Sequence, residues 1–157
     1  MITIRKLRPE DDLAAILKLC REFFTEYEDL HKDFFETDNL SDADISSRFL
    51  ESMKSDSSAT IIALLDGSIV GYALIVIREQ PRFYKIKKVG VISGLMVARN
   101  HRRKGIATRL LYETKTYFRR NGIKYFTLYT AAGNQGASTF YEQNGLTTLH
   151  VSFIGET

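Results

Sequence analysis

Apolar residues recur along the chain at two periods, and the changes of period mark the elements. Residues 2–7 read as a short strand. Arg8-Pro9-Glu10-Asp11-Asp12 then supplies the proline and acids expected just inside a helix N-terminus, and Leu13, Ile16, Leu17, Cys20, Phe23, Phe24 and Tyr27 follow at helical spacing. Ser41-Asp42-Ala43-Asp44 has the form of a capping box, with Asp in the third place, ahead of a second helix carrying Ile45, Phe49, Leu50 and Met53. A polar break covers residues 52–58. Residues 60–65 and 68–77 are strand-like, and the two-residue Asp66-Gly67 loop between them matches the twist of paired strands and predicts a hairpin. After the Gln80-Pro81-Arg82 loop, a strand over 88–97 contains Gly90 and Gly94, and a glycine at Gly94 points to a bulge or a close approach of ligand. A helix from Gly105 carries Ile106, Leu110, Leu111, Thr114, Tyr117 and Phe118 and stops at Asn121-Gly122. A strand over 125–129, a short helix over 136–143 and a last strand over 146–154 complete the pattern.

Helices early, an antiparallel meander, then strand-helix-strand-helix-strand predict an α+β or mixed α/β fold of three layers, a central mixed sheet flanked by helices. The strands joined by the long late helix should be parallel, through a right-handed crossover. A single domain over residues 1–157 is expected, because this length with 44% hydrophobic residues suits one core. No apolar leader or membrane-spanning run occurs, so the reading is a soluble, cytoplasmic protein without membrane contact. The lone Cys20 excludes an intramolecular disulfide and reads as a core residue, and the scattered His31, His101 and His150 give no metal-ligand spacing, so no metal is expected.

The net charge of +3 suggests nucleic acid only until the charges are located. Acids dominate residues 22–44, where Lys32 is the one opposing Lys or Arg, and the bases gather at Lys85-Ile86-Lys87-Lys88 and at Arg99-Asn100-His101-Arg102-Arg103-Lys104. A polyanion binder gains from one continuous basic face. This segregation suits an anionic ligand at one end and a cationic one at the other, and no nucleic-acid partner is expected.

The chemistry concentrates at Arg102-Arg103-Lys104-Gly105-Ile106-Ala107-Thr108, which joins a strand to the longest late helix. Several backbone N–H groups at such a junction lack intrahelical partners, and the helix dipole adds positive potential. Gly105 and Ala107 admit a bulky anion, and the basic side chains add charge-assisted contacts; a pyrophosphate fits. Neither the Walker spacing nor Gly-x-Gly-x-x-Gly is present.

Leu95-Met96-Val97, a short turn and Arg102-x-x-Gly105-x-Ala107 resemble the acetyl-CoA motif of the GNAT family of N-acetyltransferases. Asn134-x-x-Ala137-x-x-Phe140-Tyr141-x-x-x-Gly145-Leu146 is similar to that family's second motif. The match runs from about Val89 to Leu146. The resemblance implies acetyl-CoA as co-substrate and direct transfer to a primary amine in a ternary complex. It implies that Leu95, Met96 and Val97 pair with the pantetheine arm in a splay between two parallel strands. It further implies that the N–H groups of Arg103, Lys104, Gly105, Ile106, Ala107 and Thr108 hold the pyrophosphate, and that Asn134 fixes the cofactor. Leu95 N–H is then the oxyanion donor and Tyr141 the general acid, while Phe140 is core.

One departure stands out. Many relatives carry a glutamate on the strand before the pantetheine site, whereas this chain has Val91-Ile92-Ser93-Gly94. Glu79, an acid between Glu26 and Asp38, or solvent would have to take the amine proton. A non-catalytic acyl-CoA-binding domain of the same fold is the alternative reading, and retention of Tyr141 argues against it. The acceptor is expected to be a small-molecule or peptide amine, cationic in keeping with Glu26, Glu28, Asp29, Asp33, Glu36 and Asp38 and with the aromatic residues Phe34, Phe35, Phe83 and Tyr84. Relatives often form homodimers, and the segment over 146–154 is a candidate interface element.

Overall fold

A computed structural model describes residues 1–157. The elements are β1 (Ile2–Lys6), α1 (Leu13–Glu28), α2 (Lys32–Phe35), α3 (Asp42–Ser52), β2 (Ser58–Leu65), β3 (Ser68–Glu79), β4 (Lys88–Val97), α4 (Ile106–Arg120), β5 (Phe126–Leu128) and α5 (Gln135–Gln143). The strands form one sheet in the order β1-β2-β3-β4-β5. Every neighbouring pair is antiparallel except β4 and β5, the pair joined through α4, which run parallel.

The central strands are apolar on both faces because both are covered. Side chains alternate along a strand, so Ile62, Leu64, Tyr72, Leu74 and Met96 meet Ile16, Leu19 and Cys20 of α1 and Ile45 and Phe49 of α3. Ile61, Ala63, Ala73, Ile75 and Ile92 face the other way, against Ile106, Leu110, Leu111 and Phe118 of α4. The sheet is therefore the middle of three layers. Gly90 owes its place to this packing, since a Cβ there would stand 2.5 Å from the Phe118 ring.

Local chemistry sets the ends. Ser41 and Asp44 form the reciprocal capping box. Asp66 and Gly67, at φ 49° and 85°, make the tight turn between β2 and β3. α1 begins later than the proline suggests: Arg8 to Asp11 form a turn closed by the Asp11 N–H on the Arg8 carbonyl, and the Asp12 carboxylate caps the helix by accepting from Ala14 N–H at 2.9 Å. The short α2 is too brief to carry a helical period of its own, so the apolar pattern gives no sign of it. His31 caps it, Nδ1 accepting from Phe34 N–H at 3.3 Å.

Two strand expectations change. The run over 125–129 is reduced to the three residues of β5, paired on one side only. The last strand expected over 146–154 does not form. Leu146 packs on the core, whereas Leu149, Val151, Phe153 and Ile154 are exposed and no ladder joins them to the sheet. An alternating pattern specifies which face of a strand is apolar but supplies no partner for its backbone, and without one the chain keeps its N–H and C=O groups in water.

Candidate active site

The site starts from a defect in β4. Leu74 pairs with Gly94 but Ile75 pairs with Ile92, so Ser93 is an extra residue on β4. The consequence is a change of hydrogen-bonding phase. Before the bulge, Gly90 faces β5 and donates to Tyr125 C=O at 2.9 Å. After it, Ala98 donates to Val70 C=O at 2.8 Å, so by the alternation of an antiparallel ladder Gly94 and Met96 face β3 while Leu95 and Val97 face away from it. β5 pairs with β4 only from Gly90 to Ile92. Beyond Ile92 the parallel strands separate, and Leu95 and Val97 turn their backbones into the gap. Met96 lies in the same stretch, but its backbone belongs to the β3 ladder and its side chain is buried.

The gap leads to the turn before α4. Arg103 and Gly105 take left-handed backbone angles, φ 60° and 77°. Alternation of left- and right-handed residues turns successive N–H groups to one side, the geometry of an anion-binding nest. The N–H groups of Arg103, Lys104, Gly105, Ile106, Ala107 and Thr108 donate to no group of the protein; the first bond of the helix is Arg109 N–H to Gly105 C=O at 3.1 Å. A Cβ on Gly105 would meet nothing within 4 Å, so the space outside the turn is open. Arg103 and Lys104 are exposed beside it, while Ile106 is buried and anchors the helix.

Arg102 is turned inward instead. Its Nε donates to Val97 C=O at 2.9 Å, and its terminal nitrogen donates to Glu26 at 2.8 Å and approaches Met96 Sδ at 3.5 Å. Glu26 also accepts from Arg99 at 3.4 Å. The end of α1 is thereby clamped to the start of the turn. This assignment takes Glu26 out of the free acids expected on the acceptor side.

α5 carries the second motif. The Asn134 side-chain carbonyl caps the helix, accepting from Ala137 N–H at 3.2 Å, which leaves its amide N–H groups for another partner. Tyr141 is half-buried, and burial, with Tyr27 adding to the effect, pushes its phenol from 10.0 up to about 12. The turn after α1 and the β5–α5 connection meet, since a Cβ on Gly133 would lie 3.4 Å from Leu30. Phe140 packs against the α4-side core. Along α1 and α2, Phe23, Tyr27, Phe35 and Phe34 form a chain of ring contacts with centroids 4.5, 4.9 and 5.2 Å apart. Glu79 is exposed and pairs with Lys88, five residues along β3 from Leu74, roughly 17 Å at strand rise. No helix is long and apolar enough to cross a membrane.

A split parallel pair, a bulged strand and a helix start with unpartnered N–H groups are the features that set this sheet apart. The sequence model of the acetyltransferase (GNAT) family matches residues 17–146, and the chain belongs to that family. No curated protein matches the sequence. Among solved structures, a variant of the BH1408 protein from Bacillus halodurans is similar, at 19% identity over 99% of both chains with a TM-score of 0.87. The aminoglycoside acetyltransferase meta-AAC0020, from an uncultured soil metagenomic sample, is similar at 24% identity over 99% of this chain and 95% of that one, TM-score 0.74. AAC(6')-Iy, in complex with the bisubstrate analogue CoA-S-monomethyl-acetylneamine, is similar at 20% identity over 100% of this chain and 99% of that one, TM-score 0.75. These likenesses establish the shared fold, a mixed five-stranded sheet flanked by helices.

Proposed function

We propose that this protein is an acetyl-CoA-dependent N-acetyltransferase that acts on a primary amine by direct transfer. The observation that carries the reading is the phase change at Ser93, which aims Leu95 and Val97 into the one place where β4 and β5 part. The pantetheine arm would lie there as an added strand, with its pyrophosphate on the N–H groups from Arg103 to Thr108 and its body near Asn134. The thioester carbonyl would then accept from Leu95 N–H, a fixed dipole placed where negative charge develops.

The neutral amine attacks the carbonyl carbon, the C–N bond forms, and the C–S bond breaks with departure of the coenzyme A thiolate. The thiolate takes a proton from Tyr141, and the nitrogen gives up its excess proton, which restores the phenol. A phenol at about 12 stays protonated at any working pH and so is always ready as donor. It is a weaker acid than a thiol of about 8.5, which is why its transfer has to be coupled to the loss of the nitrogen's proton. No carboxylate stands on β4 beside the bulge, so solvent is the first acceptor of the proton that the ammonium substrate sheds before attack.

For the acceptor, the reading is a cationic amine of small-molecule or peptide kind. The aromatic wall of α1 and α2 with the exposed acids Asp29, Asp33, Glu36 and Asp38 supports it, and so does the likeness to aminoglycoside acetyltransferases. The test is coenzyme A release across a panel of amines at two ionic strengths. Polycationic amines are expected to be the best acceptors and to lose more rate with salt than neutral ones do. A panel led by anionic amino acids, indifferent to salt, would remove the acidic wall from the mechanism, and acetyl-CoA binding without turnover on any amine would leave a binding domain only.

A further inference from the structure

Tyr72 stands on β3 opposite Met96, on the sheet face covered by α1 and α3. The residue is only 4% exposed, and its ring is held edge-on by Phe49 with centroids 5.2 Å apart. The Cys20 thiol donates to its oxygen at 3.2 Å. The thiol is the hydroxyl's single partner in the fold, and sulfur is a weak one for a buried phenol. Burial holds the phenol well above its ordinary range, so its proton is not lost to solvent.

The hydroxyl lies beneath the point where β4 has no side chain. A Cβ on Gly94 would sit 3.6 Å from the Tyr72 oxygen and 3.5 Å from its ring, with no other group within 4 Å. Gly94 therefore opens a hollow on the α1 face whose floor is the Tyr72 hydroxyl, paired in the fold with the Cys20 thiol alone. The hollow adjoins Leu95, one residue or about 3.8 Å along the chain, where the thioester carbonyl is placed. The geometry points to Tyr72 as a specificity-determining residue, donating a hydrogen bond to a hydroxyl or carbonyl oxygen that the acceptor carries close to its reacting amine. The reacting nitrogen itself is not the partner, because its lone pair must stay free for the carbonyl carbon. This inference rests on the acetyl-transfer reading of the cleft and adds a requirement on the second substrate.

The test uses an amino sugar with a hydroxyl beside its primary amine and the deoxy sugar lacking that hydroxyl, with wild type, Tyr72→Phe and Gly94→Ala. Wild type is expected to favour the hydroxylated amine in kcat/KM by about tenfold or more, as sites with a buried donor reject analogues that leave it unpaired. Tyr72→Phe should erase the preference by lowering the hydroxylated amine alone, through acceptor KM, with acetyl-CoA affinity unchanged by calorimetry. Gly94→Ala, which fills the hollow with a methyl in ordinary contact with the phenol and leaves the hydroxyl in place, should erase it too. Cys20→Ala should keep it, since a hydroxyl present only to satisfy the thiol would make the two partners' variants behave alike. Absence of a wild-type preference, or equal losses on both amines in Tyr72→Phe, overturns the inference while transfer itself stands. Failure of every amine with failure of acetyl-CoA binding removes the underlying reading and this inference with it.

Discussion

In the proposed reaction, Tyr141 is the group that protonates the departing thiolate. Replacing it by Phe removes one proton donor and keeps the half-buried ring beside Phe140. Turnover should fall by about 10² to 10⁴, the usual worth of a general acid, while calorimetry shows acetyl-CoA binding nearly unchanged. The raised phenol also shapes the pH profile. Rate should climb toward alkaline pH as the ammonium acceptor loses its proton, with no falling limb from Tyr141 below pH 10, since its ionisation is deferred to about 12. The sign for stability follows from the same shift. The fold favours the neutral phenol, so its contribution is intact below pH 10.0 and is lost as pH rises toward about 12, where the unfolded chain ionises first. A variant with wild-type turnover, under conditions where chemistry is limiting, would leave Tyr141 as packing alone.

At the scale of elements, the turn before α4 works through its backbone and is held by a distant helix. Gly105 sits at φ 77°, where an L residue is strained by about 1–2 kcal/mol, and its Cβ would project into the open space outside the turn. Gly105→Val should therefore weaken acetyl-CoA binding by about tenfold or more in calorimetry, with the fold retained because Ile106, Leu110 and Phe118 still anchor α4. The Glu26–Arg102 pair makes a separate prediction. Arg102 also holds Val97 C=O, so the pair fixes the strand end and the turn relative to each other. Glu26→Gln should raise KM for acetyl-CoA by about threefold to tenfold, less at high salt, and leave kcat at saturating acetyl-CoA in place. A collapse of kcat with KM unchanged would instead make Glu26 the base.

For the molecule as a whole, the open question of surface lies at the end of the sheet. β5 is an edge strand of three residues, and the chain after Leu146 is exposed with Leu149, Val151 and Phe153 in alternating phase. An unpaired sheet edge and an exposed apolar alternation are each a template for strand pairing between copies. Sedimentation of the wild type is expected to show a dimer. The Val151→Asp, Phe153→Asp double variant is expected to sediment as a monomer with an unchanged far-ultraviolet spectrum. Equal sedimentation of the two would make the C-terminal segment an ordinary solvated tail.

What the residues determined by themselves was everything whose cause is local. The Asp66-Gly67 turn, the Ser41 cap, the helical faces, the glycine and free N–H groups of the turn at 102–108, and the placing of Asn134 and Tyr141 on one short helix all follow from neighbours within a few positions. Where the cause was a partner distant in sequence, only the tertiary structure could decide. Gly94 announced an irregularity, but the register against β3 determined that Leu95 and Val97, rather than Met96, face the gap. Glu26 looked like one acid among many until folding set it against Arg102, 76 residues away. Tyr72 looked like one more apolar position in a hairpin strand, and its role depends on a glycine across the ladder and a thiol on another helix. The segment over 146–154 has the pattern of a strand, yet a strand exists only where a second backbone meets its hydrogen bonds.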